Sequence, residues 1–178
     1  MKISGIDLET TGIDHSKGER IVEISIITAD SEDWSKQWKT FEWRCNPRKP
    51  IQAGATAVHG ITDVDVASSP FFEDIVDDVL KACEGTDVLV AHNMEFDGPF
   101  FASELERVGK DIEGEFKLFC TMQNARWATG TGKWPNLGEL CFACGVDYNP
   151  ALAHGALYDT DRMMRCLRHG LNKGWYVL

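Results

Sequence analysis

The chain has no apolar run long enough to cross a bilayer and none behind Met1, so the sequence predicts a soluble, cytoplasmic protein with no membrane partner. It is also short of positive charge. Its 18 Lys and Arg against 28 Asp and Glu leave a formal charge of −10, which excludes a protein that holds a polyanion by bulk electrostatics, although a local basic groove is still allowed. Repeats, low-complexity tracts and linker-like stretches are missing too. With 178 residues and 43% hydrophobic content, one domain over 1–178 with its own core is expected. The six cysteines (45, 83, 120, 141, 144 and 166) sit in hydrophobic-patterned segments, as reduced thiols used as small core residues do. Cys141, Cys144, Cys166 and His169 outline a zinc site, but both pairs fall in helix-like segments where residues three apart are ordinary neighbours, so zinc is not expected there.

What is present in excess is acid, and some of it is oddly placed. Asp7-Leu8-Glu9 lies in a strand-like segment, Ile3 to Glu9, where alternation puts both carboxylates on one face and Ile6 and Leu8 on the other. Two acids side by side repel unless a cation neutralises them, and hard oxygen ligands suit Mg²⁺ or Mn²⁺. Such a triplet alone is also compatible with a solvated strand end.

Alternation and β-branched content predict further strands over Arg20–Thr28 and Trp34–Arg44, giving an antiparallel meander with the first. A helical turn is expected over Ala55–Ile61, a helix over about Pro70–Cys83, and a buried parallel strand at Asp87–His92 leading into a helix from Glu95 to Val108. A short strand at Phe116–Phe119, helical segments near Thr121–Trp127 and Leu137–Cys144, and a last helix from Ala156 to Arg168 follow. Strands first, then strand and helix alternating, imply an α/β fold, a mixed sheet with helices on its faces.

Two of these helices carry an acid where an apolar residue is wanted. Asp159 lies in the stripe of Ala156, Met163, Cys166 and Leu167, whereas Asp161 belongs with Arg165 and Arg168 on the polar face. Asp97 shares a stripe with Phe101, Leu105 and Val108, although an Asp there could equally cap its helix. His154 is expected in the loop before the last helix, released by Gly155, and a histidine beside metal-holding carboxylates is a natural general base.

Gly5-Ile6-Asp7-Leu8-Glu9-Thr10-Thr11-Gly12, Ala91 to Asp97 and His154 to Thr160 together resemble the motif set of the DEDDh, DnaQ-like family of 3′→5′ exonucleases, which includes exonuclease X and the proofreading epsilon subunit of DNA polymerase III. The resemblance spans nearly the whole chain. It implies a ribonuclease H-like mixed five-stranded sheet, two Mg²⁺ or Mn²⁺ ions on Asp7, Glu9, Asp97 and Asp159, and His154 as general base. His59 and the backbone of Thr10 and Thr11 match positions near the terminal nucleotide, and Asn93 is a further candidate for substrate contact. Phe96 and Phe101 are candidates either for an aromatic surface under a base or for the core, the role favoured for both, and Arg48, Lys49, Lys110 and Lys117 are candidates for backbone contact. The implied partner is a single-stranded 3′ end of DNA, with an exoribonuclease or a non-catalytic nucleic-acid-binding domain as alternatives. The chain stops soon after its last helix, from which a free-standing nuclease, not tethered to a polymerase, is expected, with dimerisation open. The roles of the six tryptophans (34, 38, 43, 127, 134 and 175) are also left open.

Overall fold

The structure, a computed structural model, describes residues 1–112 and 116–178. β1 (Lys2–Thr10), β2 (Ile21–Asp30) and β3 (Lys39–Arg44) form the antiparallel meander. Three helices follow, α1 (Ala53–His59), α2 (Asp63–Val66) and α3 (Phe72–Cys83), then β4 (Val88–Ala91), α4 (Met94–Arg107), β5 (Lys117–Cys120), α5 (Leu137–Cys144) and α6 (Ala156–Asn172). The sheet order is β3-β2-β1-β4-β5, with β4 parallel to both neighbours. The mixed five-stranded sheet with helices on its faces is as expected.

Alternation along β1 decides what packs on each face. Ile6 and Leu8, opposite Ile26 and Ile24 of β2, enter a core with Phe72 and Val79 of α3 and Phe100, Phe101 and Leu105 of α4. The other face carries Ile3 and Gly5 and receives α6 through Met163, Met164 and Leu167. Gly5 is required there because a Cβ would stand 2.7 Å from Met164 Cγ and Sδ, so any side chain would push α6 off the sheet.

Three expectations need correction. The third strand begins at Lys39, since Trp34 and Trp38 leave the sheet to meet edge to face at 5.8 Å, with Arg165 and Arg168 of α6 each 5.7 Å from the Trp38 ring. The helix expected over 121–127 is a set of turns with one 3-10 turn at Arg126–Ala128, because Asn124 and the Gly-rich stretch beyond it do not sustain a helix. α2 was not foreseen; four residues are too few to show a period, and its signal is the reciprocal capping box of Thr62 and Asp65. Trp43 stacks on Phe41, and the thiols of Cys141 and Cys166 lie 3.6 Å apart in the core between α5 and α6, while His169 packs on Trp175.

One irregularity prepares the site. β1 pairs with β4 only from Ile3 to Gly5, so its last residues run on beyond β4. The first turn of α4 enters the space so opened, at the carboxyl ends of parallel strands where ligand sites of such sheets gather.

Candidate active site

Asp7 and Glu9 stand on the α6 face of β1, directly opposite Ser25 and Glu23 of β2. Ser25 fixes the start of α6, its hydroxyl donating to the Ala156 carbonyl at 2.8 Å and bonding Thr160 Oγ1. Glu23 accepts the Ala156 backbone N–H at 3.1 Å, taking up one of the free donors at the helix N-terminus. It also pairs with Arg44 of β3. With α6 docked this way, Asp159 in its first turn is buried against the β1 acids. Glu23 went unremarked in the sequence, although its signal was present: an acid on the inward phase of an otherwise apolar strand.

His154 has φ +62°, the left-handed region, and this conformation turns its backbone N–H onto Asp159 Oδ2 at 2.9 Å. Its ring remains exposed, and its nitrogens, Glu9 and Asp159 present ligand atoms all within 4.8 Å of one another. Asp97 is buried in the first turn of α4, with the Leu8 N–H at the overrunning end of β1 near enough to favour its charged form. Acids from β1, α4 and α6 thus meet at one end of the sheet.

Their electrostatics follow from that convergence. Burial, and then the charges of Asp97, Glu9 and Asp159, push Asp7 well above the usual carboxylate range. Glu9 is pushed up to about 9 by burial and by Asp159, Glu23 and Asp97, and burial raises Asp97 to about 7 even though backbone N–H groups favour its charged form. Asp159 is raised by burial against the opposing pull of the His154 N–H. Asp159 Oδ1 is buried without a hydrogen-bond partner. Hard-oxygen donors with an orphaned lone pair suit a divalent cation, and among the described residues Glu9, His154 and Asp159 are the group whose ligand atoms lie close enough together to hold one.

The remaining expected contacts divide. His59 is half-buried beside His154, accepting Ile61 N–H on Nδ1 and meeting the Thr10 carbonyl through Nε2 at 3.1 Å; burial, together with the neighbouring His154 charge, lowers its pKa. Asn93 precedes α4 with an exposed side chain that makes no cap bond. Phe101 is only 2% exposed and takes the core role, the one favoured for it from sequence. The hydroxyl of Thr11 is held by Glu19 and Arg20, its N–H by the Arg20 carbonyl and its carbonyl by Gln52. The Thr10 hydroxyl turns back to the Gly12 carbonyl at 2.7 Å, leaving the end of β1 rigid. Arg48 pairs with Glu73, Lys49 with Glu19 and Lys110 with Asp77, so each of these cations already has a counter-charge.

The sequence profile of the RNase_T family, described as Exonuclease, matches residues 4–167. The DNA polymerase III subunit epsilon of Pasteurella multocida is 30% identical over 162 residues, covering 88% of this chain and 62% of the relative, so the chain spans less than two thirds of that subunit. Exonuclease X, solved in complex with 5′ overhanging duplex DNA, superposes with a TM-score of 0.71 at 26% identity over 98% of this chain and 94% of the other. The nuclease domain of 3′hExo, a DEDDh family member bound to rAMP, has a TM-score of 0.76 over 99% and 94% of the two chains, and at 16% identity it shows the shared fold. The chain belongs to the RNase_T family of exonucleases.

Proposed function

We propose that the chain is a metal-dependent 3′→5′ exodeoxyribonuclease, one domain over 1–178, that releases nucleoside 5′-monophosphates. The observation that supports it is the gathering of Glu9, His154 and Asp159 with Asp7 and Asp97 near by, where burial raises all four carboxyls and the charges of the neighbouring acids add to it for Asp7 and Glu9. Two Mg²⁺ or Mn²⁺ ions held by these four acids would supply the positive charge that an in-line displacement at phosphorus needs on its attacking and leaving oxygens. His154 takes the proton of the attacking water on its exposed ring. The His154 N–H bond to Asp159 keeps the ring over the carboxylates, and His59 braces the end of β1 through the Thr10 carbonyl. DNA is favoured over RNA by relatives that are DNA polymerase subunits and by exonuclease X, solved on DNA.

The test is digestion of 5′-labelled DNA and RNA, single- and double-stranded, with Mg²⁺ and then with chelator. A ladder shortening from the 3′ end, on DNA first, lost in chelator and in Asp159→Asn, is expected; full activity in that variant would remove the carboxylate site from the mechanism. His154→Ala should lower kcat by about 10²- to 10⁴-fold, the usual contribution of a general base.

A further inference from the structure

The chain between Thr121 and Gly138 contains no acidic residue, in a protein with 28 of them, and it carries Arg126, Trp127, Lys133 and Trp134. Its position is set by the sheet. Ala91 and Cys120 are paired at the ends of parallel β4 and β5, so the segment leaving β5 starts beside the one that leads from β4 into Asp97. His92 ties the two together, its Nδ1 2.9 Å from Thr121 Oγ1 and its ring beside the backbone of Pro135 and Asn136. Both ends of the segment are therefore anchored beside His92, on the stretch of chain that runs from β4 into Asp97.

Its surface has two matched parts. Trp134 is 44% exposed, and the exposed guanidinium of Arg126 stands 5.3 Å from the centre of its ring. Among the described residues, no carboxylate pairs with Arg126, unlike Arg48, Lys49 and Lys110. The base of the segment is stiff: Trp127 donates Nε1–H to the Asn124 carbonyl at 3.0 Å and packs on Trp175 with ring centres 4.4 Å apart and planes tilted by 45°, and the 129–133 loop is closed by Thr129 Oγ1 on the Lys133 carbonyl at 2.8 Å. An exposed indole beside an uncompensated cation, on a rigid base, is the pairing that holds single-stranded nucleic acid, base on ring and phosphate on guanidinium.

We propose that Trp134 and Arg126 form a platform for the strand upstream of the scissile 3′ nucleotide, Trp134 stacking a base and Arg126 contacting a phosphate. This rests on the exonuclease reading above and names the part of the substrate that the carboxylate site does not reach. Single-stranded substrate is the chosen occupant because an unpaired base exposes its face for stacking.

The test is binding of a fluorescein-labelled 12-nucleotide single-stranded DNA in chelator, by anisotropy, so that it reads the platform with no hydrolysis. Trp134→Ala should weaken Kd roughly tenfold, within the range known for base–aromatic stacking, and Trp134→Phe should restore most of it. Arg126→Gln should lower the slope of log K against log salt by about 0.7, the share of one phosphate contact on a single strand, while Trp134→Ala leaves the slope unchanged. With Mg²⁺, the ratio of kcat/KM on the 12-mer to kcat/KM on the p-nitrophenyl ester of thymidine 5′-monophosphate should fall about tenfold in Trp134→Ala. Wild-type affinity and salt slope in both variants would overturn the platform. A wild-type protein that binds the 12-mer through Trp134 but hydrolyses neither substrate would overturn the exonuclease reading and leave the platform standing.

Discussion

Asp7 shows how a residue can serve chemistry at a cost to the fold. Burial beside Glu9, Asp97 and Asp159 penalises its charge, so without cations the folded state holds a repulsion that the unfolded chain lacks. Asp7→Asn should therefore abolish nucleotide release while raising the stability of the chelated protein by roughly 1–2 kcal/mol, read as an upward shift of Tm in EDTA. A chelated variant that melts below the wild type would mean that Asp7 is held by favourable contacts, contrary to the raised pKa. Asp7 and Glu9 were legible in the sequence because a strand's alternation fixes their common face. Glu23 was visible as an acid in an apolar strand, but its role depends on where α6 lands, and the same holds for Thr11, whose groups are all spent on Glu19, Arg20 and Gln52.

At the level of elements, α6 is the part that completes the site, and two contacts fix it. Gly5 lets it approach β1, and Glu23 with Ser25 holds its first turn. Gly5→Ala should cost about 1–3 kcal/mol by overpacking against Met163 and Met164, and should depress activity beyond the stability loss because Asp159 moves with the helix. Denaturant unfolding alongside kinetics separates the two effects; unchanged stability would show that the methionines give way freely. The other face of the sheet depends on an ion pair. Glu104 of α4 is fully buried, and its carboxylate takes Arg20 in two bonds of 2.6 and 2.9 Å and Arg107 at 3.0 Å. Arg20→Ala leaves that charge with the exposed Arg107 as its cation and only the Ile21 N–H besides, and a loss of about 2–3 kcal/mol in denaturant unfolding is expected, with near-neutral behaviour counting against it. Helices with a long apolar stripe were placed to within a few residues from sequence. α2 and the 121–127 turns were not, because local capping rather than periodicity defines them.

For the molecule as a whole, the acid cluster sets a pH dependence. Glu9 at about 9 and Asp97 at about 7 both lie above their values in the unfolded chain, so the folded state keeps protons that the unfolded state has released. Their contribution is most favourable below the unfolded pKa values, near pH 4, and is lost progressively as pH rises through about 7 and about 9. Divalent cations displace those protons and cancel the repulsion. The increase in Tm on adding Mn²⁺ should thus grow steadily from pH 5 to pH 9, measured by thermal melts with Mn²⁺ and with EDTA; a shift that is absent, or the same at every pH, would argue against cation binding by these acids. No helix among the described residues is long and apolar enough to cross a membrane.

By itself the sequence determined the mixed sheet, the helical stripes and the presence of two acids out of place in those stripes, because backbone periodicity and burial are local and repeat along the chain. The tertiary structure alone decided which groups meet. It brought Glu23 against Glu9 through strand register and turned the N–H of His154 onto Asp159 through a left-handed residue. It also sent Phe101 into the core and set Arg126 over the exposed ring of Trp134. The meeting of Glu23 with Glu9 and the burial of Phe101 join segments far apart in the chain, whereas the His154–Asp159 bond and the Arg126–Trp134 contact are short-range and set by loop and turn conformation; neither kind is encoded by a periodic pattern.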